Sequence, residues 1–296
     1  MDLKSPLSYV DQLQKLKDHG MTIEDDSEVL ELLSRISYYR FTGYAIPFRK
    51  SPHDSDYIPG TSFSQIKSIY DFDMELRNML RYYIELIEVY YRTQISYCFA
   101  SSICVKPPYD QHYDLKNYYD AAKAQELFDS FENQKKHYKD SLVTQHHQTK
   151  YNDKYPLWVM TEMMTLSDLS KLYACIKYVD QDKIALVSST GRKALRNHLH
   201  CLSVLRNKCA HAARLCSDKF SPPALLNSKF LKNHSYIAND SLFAYLIVVE
   251  KRLARKEDKE LFVSQIEEIV AKYTGKIDLS LFSIPKDFSS VMRNII

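Results

Sequence analysis

Phe72-Asp73-Met74-Glu75-Leu76-Arg77-Asn78-Met79-Leu80-Arg81-Tyr82-Tyr83-Ile84-Glu85-Leu86-Ile87-Glu88-Val89-Tyr90-Tyr91-Arg92-Thr93-Gln94-Ile95 is the middle of the longest periodic run in the chain. Its apolar side chains, Phe72, Leu76, Met79, Leu80, Tyr83, Ile84, Ile87, Tyr91 and Ile95, recur at spacings of three and four. Residues so spaced share one face of an α-helix, so the run predicts a long helix with one buried stripe, from about 63 to 100. Glu85, Glu88 and Arg92 follow the same spacing on a second face.

The same period appears on both sides of this run. Ser5-Pro6 reads as a helix cap followed by a proline at the first helical position; Leu7, Val10, Leu13 and Leu16 continue that helix and Gly20 ends it. Asp26 and Ser27 cap a second helix through Val29, Leu30, Leu33 and Ile36, which runs into the aromatic stretch 38–44. A polar loop with Pro52, His53 and Pro59-Gly60 follows. Beyond Pro107-Pro108, helices are expected at 121–138, 157–173, 192–215, 240–254 and 259–273, with short pieces after Ile277. The segment 144–154 carries so much His, Gln and Lys that it reads as a loop. The fold class is all-α: an N-terminal helical extension over 1–60, packed on a main helical domain over 61–296.

Composition closes off several functions. With 40 Lys+Arg against 37 Asp+Glu, the net charge of +3 does not by itself announce nucleic acid. The five glycines (20, 43, 60, 191 and 275) are too scattered for a phosphate-cradling loop; before Gly275-Lys276, Val270 stands where such a loop needs glycine, and Ile277 where it needs Ser or Thr. No apolar stretch is long enough to span a membrane, and the start, Met1 to Pro6, lacks an apolar signal core, so the chain reads as cytoplasmic. The six cysteines contain no C-x-x-C pair and are expected as reduced thiols in or near the core. Neither His146-His147 nor His198-x-His200 has a third ligand at useful spacing, so no metal is expected. Twenty-three tyrosines suit an aromatic core, the 38–44 run included.

The chemistry-bearing segment is Leu195 to Leu215. On a helix, Asn207, His211 and Arg214 would line one stripe, while Arg206 lies about 140° from His211 and reaches the same centre only by its length or from a capping turn. Histidine moves protons near neutrality, and arginine with asparagine can hold a phosphate and its added negative charge, so the set suits phosphodiester chemistry. An Arg…His spacing alone is weak, and Arg192…His198 upstream is as good on spacing. The Arg206 pair gains from Asn207 and from Cys209, Ala210, Ala212 and Ala213, which let another chain approach. The same residues also fit a buried Arg206–Glu88 ion pair beside a core histidine.

These residues carry a resemblance. Ile36-Ser37-Tyr38-Tyr39-Arg40-Phe41-Thr42-Gly43-Tyr44, Tyr70-Asp71-Phe72-Asp73-x-x-Leu76-Arg77, Ile87-Glu88-x-x-x-Arg92-Thr93 and Leu205 to Leu215 occur in the order of the Abi-like (abortive-infection AbiD/AbiF) family, over about 30–215. The resemblance implies an HEPN-like helical bundle and a toxin-like phage-defence ribonuclease that cleaves RNA without metal or cofactor. In it, Arg206, Asn207 and His211 occupy the Arg-Asn-x-x-x-His motif, with Glu88 and Arg92 as supports on the preceding long helix and Arg214 alongside. Ala212 stands where a second histidine often follows in the family, which puts a paired imidazole in doubt. Arg192, Lys193 and Lys208 are expected to touch RNA. Because each chain brings one motif histidine, a homodimer that opposes two copies would supply both a base and an acid. A neutralising antitoxin, protein or noncoding RNA, is the other expected partner, and no membrane is. The competing class is a non-catalytic RNA-binding or regulatory module; a third is a protein-interaction scaffold.

Overall fold

Serine and aspartate caps set the first boundaries of the fold. Side-chain oxygens of Ser8, Asp25, Ser37 and Ser62 each accept from an N–H in the turn that follows, opening α1 (Tyr9–Asp18), α2 (Asp26–Arg35), α3 (Tyr38–Tyr44) and α4 (Phe63–Ile103). In chain order come α5 (Ala121–Lys135), α6 (Leu142–Tyr151), α7 (Leu157–Met163), α8 (Leu166–Cys175), α9 (Tyr178–Val187), α10 (Arg192–Ala210), α11 (Ser228–Asn233), α12 (Leu242–Arg252), α13 (Lys256–Lys272) and α14 (Phe288–Arg293). This computed structural model describes residues 5–51 and 53–295; the chain start and Pro52, read above, lie outside the described residues. Among the described residues there is no strand beyond isolated bridge pairings, so the class is all-α.

Several boundaries differ from expectation, each for a local reason. The first cap is Ser8, which forms a reciprocal capping box with Asp11, not Ser5; Leu7 and Val10 are exposed. The 38–44 run is a helix of its own, because Ser37 caps it at Arg40. The expected helix 157–173 breaks at Thr165, whose side chain opens α8 by a capping box with Asp168. The segment 144–154 is mostly helix α6, not a loop: His147 is buried, stacks on Tyr155 at 4.8 Å and bonds the Val143 carbonyl at 2.8 Å. Helices α9 and α11 were not expected.

The long helix α4 is the axis of the core. Every residue of its apolar stripe is buried, from Phe72 to Ile95. Helix α10 lies across it and packs also on α8, α9 and α12; α3 packs on the N-terminal half of α4. One continuous apolar core joins all these helices. The six cysteines are free thiols, four of them buried. No helix among the described residues is long and apolar enough to cross a membrane.

Helix α12 is buried from Leu242 to Glu250. Neither carboxylate oxygen of Glu250 has a hydrogen-bond partner, and burial pushes its pKa up to about 8. The folded state therefore holds a proton that the unfolded chain, titrating near 4.5, has released. Stability contributed by the neutral acid is full below pH 4.5 and is lost as pH rises toward 8. Glu250→Gln is expected to remove that loss: urea unfolding should show almost no gain at pH 4.5 and a gain of about 4 kcal/mol at pH 8. An equal difference at both pH values would refute the buried neutral acid.

Candidate functional site

Two ion pairs stud one face of α4. Asp73 and Arg77 are one turn apart, as are Glu88 and Arg92, and the eleven residues from Arg77 to Glu88 bring the helix back to within about 20°. The face therefore presents two charged pairs to the C-terminal part of α10 and the chain that follows it.

The first pair is deeply buried. Arg77 contacts Asp73 at 2.8 Å and donates to the Tyr44 hydroxyl at 3.0 Å, while that hydroxyl donates to Asp73. Asp73 also accepts from the backbone N–H of Leu215 at 3.3 Å, and Arg77 reaches the Ala213 carbonyl at 3.4 Å. Burial pushes the Asp73 carboxyl above its ordinary value against the pull of Arg77 and the Tyr44 hydroxyl, and pushes the Tyr44 phenol up strongly. This cluster pins residues 213–215 between α3 and α4.

The second pair supports Arg206. Arg92 contacts Glu88 at 2.5 Å and donates to the Met164 carbonyl at 2.8 Å; Glu88 in turn lies 4.0 Å from the Arg206 guanidinium. Burial raises the Glu88 pKa, with Arg92 and then Arg206 pulling it back. The Glu88–Arg206 separation is an ion pair, not a hydrogen bond. Arg206 is half-exposed, so the reading as a fully buried structural pair does not hold.

Helix α10 stops at Ala210, short of the expected 215, so Asn207, His211 and Arg214 do not form one helical stripe. Its end is a left-handed turn: Ala212 has φ +51°, its N–H donates to Cys209, and the Ala213 N–H donates back to Lys208 at 2.8 Å. Alpha-helix α1 ends the same way with Gly20 at φ +83°, so the second turn was hidden by an alanine in the glycine position. His211 is the capping residue. Its N–H bonds the Asn207 carbonyl at 3.0 Å, which sets the two residues one turn apart, and both are exposed. His211 is thus not a core histidine.

An open groove of about 460 Å³ lies between α3 and this turn. His211, Lys208 and Arg214 line one wall, and Tyr39, Arg40 and Arg49 the other. Arg206 and Asn207 are not among its lining residues, so within one chain the motif does not converge on a single groove. Arg214 donates to the Gly43 carbonyl, and a Cβ at Gly43 would come within 3.2 Å of that guanidinium. Arg40 donates to the Ala212 carbonyl at 2.6 Å. The small residues after His211 are therefore approached by the chain's own α3. Arg40 and Arg49 were missed as site residues because the 38–44 run reads as packing; Phe41 and Tyr44 do pack, but Tyr39 and Arg40 face outward.

Of the expected RNA contacts, Lys208 lies in this groove and the other two lie elsewhere. Arg192 and Lys193 begin α10, about 28 Å of helix from His211. Arg192 pairs with Asp182 at 2.6 Å and stacks over Tyr178, and Lys208 pairs with Asp218. His198 is buried against the Leu225 carbonyl at 2.9 Å, and burial pulls its pKa down to about 4. The Arg192…His198 pair is thus a structural element. Among the described residues no group of three His, Cys, Asp or Glu side chains is placed to hold a metal ion.

No curated protein and no solved structure gives a significant match to this chain. A family model described as Abi-like protein matches residues 31–217. That span runs from α2 through the turn after α10 and takes in both charged pairs of α4, the groove except for Asp218, and the Arg206–His211 segment. Covering more than half of the sequence, the match shows that this chain belongs to the Abi-like protein family.

Proposed function

We propose that this chain acts in abortive infection as an endoribonuclease of the HEPN type, cutting single-stranded RNA without a metal ion. The observation that carries the reading is an exposed His211 on a cation-lined groove, in a chain of the Abi-like family. In the proposed reaction the ribose 2′-OH loses its proton to one imidazole as its oxygen bonds to phosphorus. The bond from phosphorus to the 5′ oxygen breaks, and a second imidazolium returns a proton to that oxygen. Products are a 2′,3′-cyclic phosphate and a 5′-OH. Arg206 and Asn207 bind the phosphate and stabilise the charge that grows on it, Glu88 and Arg92 orient Arg206, and Arg214 steadies the turn that bears His211.

One chain holds one motif histidine, and its Arg206 faces Glu88 outside the His211 groove. A homodimer that apposes the exposed Asn207–His211 faces brings two imidazoles and two guanidiniums to one phosphate.

The test is cleavage of a labelled single-stranded RNA by the full chain in excess EDTA, with end-group analysis and native mass spectrometry of the same sample. Fragments ending in a cyclic phosphate, made by a species of twice the chain mass, are the expected result. Intact RNA, or cleavage only on adding Mg²⁺, would overturn the ribonuclease reading. Active monomers would overturn the composite site.

A further inference from the structure

The groove between α3 and the turn after α10 has a chemistry that the Arg206–Asn207–His211 motif does not account for. Arg40, Arg49, Arg214 and Lys208 line it, against Asp218 as its one lining carboxylate, and that carboxylate is taken by Lys208. Two of the guanidiniums have backbone duties, Arg40 on the Ala212 carbonyl and Arg214 on that of Gly43. Arg49 makes no side-chain hydrogen bond among the described residues, and its Nε is shielded from solvent. Among the described residues its guanidinium also enters no ion pair, so it is the arginine of this groove left free to meet a phosphate. Beside it, Tyr39 is 88% exposed, the most exposed large apolar side chain among the described residues. It projects from a short helix whose Phe41 and Tyr44 are locked into the core, so its ring stands on a fixed base.

Guanidiniums for a phosphate, a free aromatic face beside them and His211 at the edge make a nucleotide-sized subsite. We infer that this groove seats the nucleotide next to the scissile bond, with Arg49 on its phosphate and Tyr39 stacked on its base. The substrate class this selects is RNA with an unpaired base at that position, since a base held in a duplex offers no free face. The inference rests on the ribonuclease reading for its place beside the reaction, but its binding chemistry can be measured without turnover.

The experiment uses the full chain carrying His211→Ala and measures binding of a single-stranded RNA and its duplex by fluorescence anisotropy over a salt series. The expected result is preference for the single strand. Adding Tyr39→Ala should weaken single-strand binding about ten-fold or more, and Tyr39→Phe should restore it. Adding Arg49→Gln should reduce the salt slope by about 0.7, and Arg49→Lys should retain it. Circular dichroism checks that each variant is folded; Tyr39, being exposed, can be changed without disturbing the core. Equal affinity for duplex and single strand, or unchanged binding with Tyr39→Ala, would overturn the subsite. So would competition by millimolar inorganic phosphate alone, which would mark a simple anion site. Binding with the expected losses, in a protein whose unsubstituted form never cuts RNA, would keep the subsite and sink the nuclease. Cleavage at subsaturating RNA that ignores Tyr39→Ala and Arg49→Gln would do the reverse.

Discussion

Replacing His211 with alanine is expected to lower RNA cleavage by about 10²–10⁴-fold, the usual contribution of a positioned acid–base group. Melting temperature and RNA affinity should stay close to those of the unsubstituted chain. The reason lies in its placement: His211 is exposed, and its backbone N–H bonds the Asn207 carbonyl, a contact that alanine keeps. Surface substitutions of this kind usually change stability by less than about 0.5 kcal/mol. Mixing the variant with unsubstituted protein adds a second readout. If two imidazoles share one phosphate, mixed dimers are defective, and activity falls faster than the fraction of unsubstituted chains. A linear fall would argue for one self-sufficient site per chain. Cleavage that persists undiminished in pure His211→Ala protein would remove histidine from the mechanism.

The largest loss of stability is expected from Asp73→Ala. Arg77 is only 4% exposed, so removing its carboxylate leaves a buried guanidinium without a counter-charge, a change that costs about 3–5 kcal/mol. The Tyr44 hydroxyl and the Leu215 N–H lose their acceptor at the same time. Thermal melting should fall by roughly 10 °C, using the few degrees per kcal/mol typical of large domains. Replacing the pair together, Asp73→Leu with Arg77→Met, should recover much of the loss, because no unpaired charge remains. If Asp73→Ala melts within two or three degrees of the unsubstituted chain, the cluster is not the clamp described here. At temperatures where Asp73→Ala is still folded, cleavage should be weaker as well, since the released segment carries the turn that positions His211.

What was legible in the sequence follows the strength of its physical signals. The stripe from Phe72 to Ile95 is written at the helical period over many turns, and every one of its residues is buried. Leu195, Leu199, Leu202 and Cys209 likewise face the core. The end of α10 was not legible, because glycine is the usual mark of a left-handed turn and Ala212 occupies that place. Helix α6 was missed since its buried side is made of Thr144 and His147, which pack through stacking and backbone bonds and leave no apolar stripe. At the site, the types of Arg206, Asn207 and His211 were readable, but their divergence was not: it depends on Glu88 drawing Arg206 one way while the capping turn opens His211 another. The contribution of α3 was hidden for the opposite reason. Seven residues there serve both core and groove, and the aromatic ones advertise only the core.

The clamp on residues 213–215 has a consequence for biosynthesis. Its partners, Tyr44, Asp73 and Arg77, leave the ribosome long before the segment they hold, which trails Arg77 by some 136 positions. Neither wall of the groove can meet the other until that late segment has emerged, so a nascent or prematurely terminated polypeptide carries the early wall alone. If RNA cleavage needs both walls, as the proposed reaction does, a chain still in synthesis is inactive toward the messenger that encodes it until residues 213–215 have emerged and docked.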